Sequence, residues 1–92
     1  MRNDDLTRLL QSVGLRAFVK YYEVFADPLT TNREAADLLP HDLKLTARLT
    51  RVSCARRIIQ RGLAPEALEI ISRSKRVDAD TSEGAAELLE GL

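Results

Sequence analysis

Several residue types are scarce in these 92 residues, and each scarcity narrows what the chain can be. Cys54 is the only cysteine, so no intrachain disulfide can form and no paired-cysteine metal motif exists. His41 is the only histidine, which leaves a His-based triad or metal cluster without a second imidazole. There is no tryptophan, and the four aromatic residues are Phe18, Tyr21, Tyr22 and Phe25. Four glycines are scattered, so no glycine-rich phosphate loop is present. No apolar run approaches the roughly 18 residues that a membrane span needs. The opening Met1-Arg2-Asn3-Asp4-Asp5 lacks a signal-peptide apolar stretch. These features lead us to expect a cytoplasmic protein without cofactor, metal or membrane contact, and not an enzyme.

What is present is apolar content of 45% beside 30% charged residues, the balance of an ordinary globular chain. The length predicts one helical domain spanning residues 1–92. A domain this small buries only about 60–65% of its unfolded surface, so support from a second copy, a homodimer, is plausible.

Charge is the most informative feature. The formal net charge is zero, yet residues 44–76 carry +7, the remaining C-terminal residues −5, and the first 43 residues −2. A cationic centre expects an anionic partner.

The spacing of apolar residues is helical almost throughout. Leu6, Leu9, Leu10 and Val13 define one helix, capped by Asn3 or Asp4, with Asp4 one turn before Arg8. Gly14 ends or kinks it. Phe18, Tyr21, Tyr22 and Phe25 follow at i, i+3, i+4, i+7 on a helix from Leu15 to Ala26 that Asp27-Pro28 stops. Tyr21 and Tyr22 are about 100° apart, so one of them belongs at the stripe's edge. Thr31 to Glu34 reads as a capping box for a helix that Pro40 closes. Asp42 is the expected cap of the next helix.

Past Arg51 the pattern presents a conflict. A continuous helix places Arg56 on the apolar stripe with Leu45, Leu49, Val52 and Ile59. An unpaired buried arginine costs several kcal/mol. A break with Ser53 as N-cap avoids this and predicts a separate helix from Cys54 to Arg61, ended by Gly62. Pro65 then opens a helix containing Leu68, Ile70 and Ile71, with Glu69 and Arg73 as an i,i+4 pair. Asp80 to Glu83 predicts a last capping box, before Ala85, Ala86, Leu88 and Leu89.

The expected fold is therefore all-α: a compact bundle of five or six short helices. A helix-turn-helix is one arrangement within it. It is formed either by Thr31–Leu39 with the following helix or, preferred here, by Leu43–Thr50 with Ser53–Arg61. In the preferred pairing Arg56, Arg57, Gln60 and Arg61 face a nucleic-acid groove, and Arg48, Arg51, Arg73, Lys75 and Arg76 contact phosphates. The functional expectation is a small regulatory nucleic-acid-binding module, with DNA ahead of RNA. The alternative is a protein-interaction module (an adaptor, an antitoxin or immunity-type protein, or an inhibitor). In that role Tyr21, Tyr22, Leu88 and Leu89 would meet an acidic protein or a second copy. His41 is expected in a solvated turn and Cys54 in the core. The acidic tail is read as a solvated helix face, with competition for the cationic centre as its second reading.

Overall fold

In a computed structural model that describes residues 3–92, with side chains from Asp5 onward, the chain is helical, without strands among the described residues. The caps expected at Asn3 or Asp4 and the Asp4–Arg8 pair lie outside the described side chains. Seven helices follow in order: α1 (Asn3–Val13), α2 (Leu15–Lys20), α3 (Tyr22–Ala26), α4 (Asn32–Leu38), α5 (Leu45–Gln60), α6 (Ala64–Arg73) and α7 (Ala79–Glu90). The radius of gyration of 12.2 Å is that of a fully compacted chain of this length, about 12 Å.

The helix α5 is the axis of the bundle. It packs against α1, α4 and α3, while α7 packs on α6 and α2. The predicted α1 stripe is buried in full: Leu6, Leu9, Leu10 and Val13. Phe18, Tyr22 and Phe25 join it, with Phe18 and Tyr22 edge to face at 5.7 Å between ring centres. Tyr21 is the edge residue: it is half-buried and lies under the Lys20 ammonium at 5.5 Å. The expected single helix from Leu15 to Ala26 is nicked at Tyr21, whose φ of −109° and ψ of 19° leave the helical range. Hydrogen bonds still bridge the nick, from the Tyr21 amide to Ala17 O and from the Phe25 amide to Tyr21 O.

The turn chemistry explains most boundaries. Thr31 and Glu34 form the reciprocal capping box, at 3.1 and 3.0 Å. Gly62, at φ 73°, ends α5: its amide reaches Ile59 O while the Leu63 amide reaches Ile58 O. This pairing of 5→2 and 6→1 bonds is a Schellman motif, which the αL glycine permits. Pro65 lies in the first turn of α6. Two expected caps are displaced. Asp42 caps nothing, because the Leu43 amide turns back to Pro40 O and α5 begins two residues later, after Lys44. The α7 cap is Asp78 rather than Asp80: its carboxylate accepts from the Thr81 amide and hydroxyl, at 3.3 and 2.6 Å. Ser82, expected in that box, instead donates to Ser72 O and ties α7 to α6.

The main correction concerns Ser53. No break occurs there; α5 runs unbroken for 16 residues. The energetic objection assumed an unpaired Arg56, and Arg56 is paired. Its guanidinium donates to Phe25 O at 3.2 Å, Asp27 O at 3.2 Å and Val24 O at 3.4 Å, and to Asn32 Oδ1 at 2.7 Å. It therefore satisfies the carbonyls at the end of α3, which no helical amide can reach. Two other α5 arginines also reach carbonyls at helix ends, although Ala36 O accepts from the Leu39 amide as well. Arg48, only 9% exposed, donates to Ala36 O near the end of α4 and to Leu43 O, with Asp37 beside it at 3.7 Å. Arg51 donates to Val13 O, the last carbonyl of α1. The preferred helix-turn-helix, Leu43–Thr50 with Ser53–Arg61, is thus one rod.

Gly14 completes the Arg51 contact. Its φ is +93°, and a Cβ there would stand 2.8 Å from the Arg51 Nη1. Gly62 also has positive φ but has open space around it.

Three outcomes are expected on urea or thermal unfolding. Arg56→Ala leaves Val24 O and Phe25 O without their donor, while Asp27 O keeps the Thr30 amide, and lowers stability by about 2–4 kcal/mol, whereas exposed Arg57→Ala changes it by less than about 0.5 kcal/mol. Gly14→Ala meets both backbone strain and the guanidinium, so it costs more than Gly62→Ala, which meets strain alone at about 1–2 kcal/mol. Hydrogen bonds also shape the pH response. The Leu29 amide, then the Thr30 hydroxyl, hold Asp27 below its ordinary range; Thr31 does so for Glu34 and Thr81 for Asp78. These carboxyls protonate more readily in the unfolded chain, so their contribution is complete above its carboxyl range. It declines as pH falls below about 4.5, the ordinary Glu value. The melting temperature should fall on acidification through this window, and Asp78→Asn should flatten part of that fall.

Candidate nucleic-acid interface

Once α5 is a single helix, its faces sort cleanly. Val52, Ala55 and Ile58 are buried with Arg48. Thr46, Thr50, Ser53, Arg57, Gln60 and Arg61 (at the C-cap) are the exposed positions. At 100° per residue these six fall within an arc of about 100° opposite the buried stripe. The helix itself contributes no carboxylate to this face, since α5 contains no aspartate or glutamate. The side chains are hydroxyls, an amide and guanidiniums, all able to donate hydrogen bonds. Thr50 also returns its hydroxyl to Thr46 O at 2.9 Å.

The nine residues expected to touch nucleic acid therefore divide. Arg57, Gln60 and Arg61 share the open face of α5. Arg48, Arg51 and Arg56 do not belong with them. Their guanidiniums are committed to the carbonyls of α4, α1 and α3, and moving them to phosphate would strip those helix ends. Arg73 ends α6, exposed and paired with Glu69 at 2.8 Å as the i,i+4 spacing predicts. Lys75 and Arg76 follow in the α6–α7 connection, both exposed. Thr46, Thr50 and Ser53 were missed. Their spacing of four and three residues, continuing to Arg57 and Gln60, was visible in the sequence but was cut by the supposed break.

The expected partner surface also changes. Tyr22 is core, so its ring is not offered to another chain. Leu88 and Leu89 are half-buried against the core as α7 docks, and Tyr21 is half-buried. The large apolar side chains that do stand out are Leu29, Leu38, Ile70 and Leu92. The α7 acids Asp80, Glu83, Glu87 and Glu90 are exposed on a helix that packs on α6 and α2. Of the apolar residues named for α6, Ile70 is exposed, while Leu68 and Ile71 are buried with Ala64 and Ala67. His41 is exposed as expected, with Nε2 at 2.7 Å from Asp37 O. Cys54 is half-buried at the margin of the core.

A cleft of about 500 Å³ lies between the α1–α2 junction and the α4–α5 connection. Leu15, Tyr21, Leu39 and Leu43 are among its apolar walls, and Arg16, Lys20, Arg51 and Asp42 are its charged ones.

Among the described residues, no helix is long and apolar enough to cross a membrane. No family model, curated protein or solved structure matches the chain.

Proposed function

We propose that the chain is a nucleic-acid-binding module that lays α5 in the major groove of duplex DNA. The observation that supports this reading is the exposed face of α5, to which the helix contributes no carboxylate. A helix of 16 residues is about 24 Å long. The major groove, about 12 Å wide, admits such a rod. Arg57 would fork onto guanine O6 and N7 or onto phosphate, and Gln60 would pair with adenine. Thr46 and Ser53 would donate to phosphate oxygens, as would Thr50 on releasing Thr46 O, fixing the register without reading bases. Arg61, Lys75 and Arg76 would add to the field that draws in the polyanion. The absence of acids is the point of the argument, because one carboxylate in a groove-facing stripe repels both phosphates and most base acceptors.

Two features limit how strong such binding would be. Few cations remain once Arg48, Arg51 and Arg56 are committed to the fold, so the number of phosphates neutralised is small. Affinity should accordingly be modest and lost quickly as salt rises.

The test is fluorescence anisotropy with duplex DNA of mixed sequence over a salt series. Binding should weaken as salt rises, and Arg57→Ala should reduce the log–log slope by about 0.9, one phosphate's worth. Thr50→Glu with Arg57→Glu places two carboxylates in the stripe and should weaken binding by more than about tenfold while leaving the helical circular dichroism unchanged. Salt-insensitive binding, or none at low salt, overturns the proposal. Retention of a protein partner after nuclease treatment, with no affinity for DNA, would favour the interaction-module alternative; Leu29 and Leu38, 89% and 59% exposed, would be its apolar anchors.

A further inference from the structure

We infer that the cleft between the α1–α2 junction and the α4–α5 connection is a binding site for a small carboxylate with an apolar body, of the medium-chain fatty-acid class. The inference is independent of DNA binding, since the cleft residues lie off the exposed face of α5.

Three observations carry it. The first is size: about 500 Å³ falls within the range of ligand cavities, roughly 300–1,000 Å³. The second is the composition of the walls. Leu15, Tyr21, Leu39 and Leu43 provide apolar surface, while the charged groups are three cations, Arg16, Lys20 and Arg51, against the single acid Asp42. That excess of positive charge selects an anion. The extent of apolar wall selects one with a hydrocarbon body over a bare inorganic ion, which would leave that wall wet.

The third observation is the state of Arg51. Its Nη1 is held by Val13 O, with Gly14 close against it. Its Nε and Nη2 donate to nothing among the described residues. No buried side-chain nitrogen there lacks a partner, so these two groups are reached by solvent, and Arg51 is among the residues that line the cleft. The guanidinium is thus fixed before any ligand arrives, with a pair of donors left over. That geometry suits a carboxylate, which takes two parallel N–H bonds from one guanidinium. Little side-chain entropy remains to be lost on binding, because the fold has already ordered the arginine. Lys20, over the Tyr21 ring at 5.5 Å, adds a second charge to the lining of the cleft.

The probe is sodium octanoate, kept below its micellar range and followed by amide chemical shifts of the isotopically labelled domain, beside octyltrimethylammonium and octanol. Octanoate should produce saturable shifts at residues 15–21, 39–43 and 51. The ammonium compound should produce none there. Octanol should bind about tenfold more weakly, for want of the charge-assisted bonds. Arg16→Gln with Lys20→Gln alters exposed side chains and should keep the melting temperature while weakening octanoate about tenfold. Arg51 is unsuitable alone, because its loss also uncaps α1. No saturable octanoate shift, equal shifts from the cationic amphiphile, or unchanged affinity in the double variant would each overturn the inference. None of these outcomes bears on α5 and DNA, which the anisotropy series tests separately.

Discussion

The bundle depends on guanidinium groups meeting the carbonyl ends of helices. Each short helix leaves its last four carbonyls without an internal partner, and seven helices among the described residues multiply that problem. Water can satisfy carbonyls at the surface. It cannot do so where three helix ends converge on one central rod. Here Arg48, Arg51 and Arg56 of α5 reach outward to the ends of α4, α1 and α3. Hydrogen bonds from a charged donor contribute about 1.5–3 kcal/mol each, and a cation at a helix C-terminus is also favoured by the helix dipole. The same long side chains cover apolar surface with their methylene stems. Remove one, and the penalty is the lost bond together with the stranded carbonyls.

This explains which parts of the sequence could be read directly. The stripe Leu6, Leu9, Leu10, Val13 was legible because hydrophobic burial follows helical period and nothing else competes for it. The Thr31–Glu34 box and Gly62 were legible because local backbone chemistry decides them within four residues. The aromatic stripe was legible except for the nick at Tyr21, for which the structure offers no evident cause. The error at Ser53 had a different origin. Whether an arginine on an apolar stripe is ruinous or stabilising depends on what faces it from elsewhere in the chain. Its acceptors, Val24, Phe25, Asp27 and Asn32, lie 24 to 32 residues away. No local pattern encodes that meeting. The displaced caps at Lys44 and Asp78 are smaller failures of the same kind. In each, the chain held two acceptable starting points two residues apart, and the bonds of Leu43 to Pro40 O and of Thr81 to Asp78 mark the one it uses.

The charge pattern must be reinterpreted accordingly. The +7 segment is not one surface. Part of it neutralises helix ends inside the bundle, Arg73 pairs with Glu69 on α6, and the rest stands on α5 and the α6–α7 connection. Clustering of arginine in sequence was therefore a poor guide to clustering in space. The more discriminating signal is negative: 16 consecutive helical residues with no acid. A structural role for arginine explains why bases are needed at 48, 51 and 56. It does not explain why the opposite face also avoids carboxylates, when exposed helix faces elsewhere in the chain (Glu66 and Glu69 on α6, Glu83 and Glu87 on α7) carry them freely.

If α5 binds nucleic acid as proposed, one helix serves two purposes through two faces separated by about half a turn. The inward face fixes three other helices, so α5 can neither slide nor rotate without breaking guanidinium bonds to each of them. Rigidity of this kind is what a contact helix requires, because side chains aimed at base edges must already share one register when they arrive. Arg51 shows the same economy at the flank. It closes the end of α1 and also lines the adjoining cleft, where the proposed carboxylate would use its remaining donors. In a domain too small for a large hydrophobic core, a side chain locked for the sake of folding is also the least costly place to put recognition. On this view the committed arginines determine, by the orientation they impose on α5, which residues are left to meet a ligand.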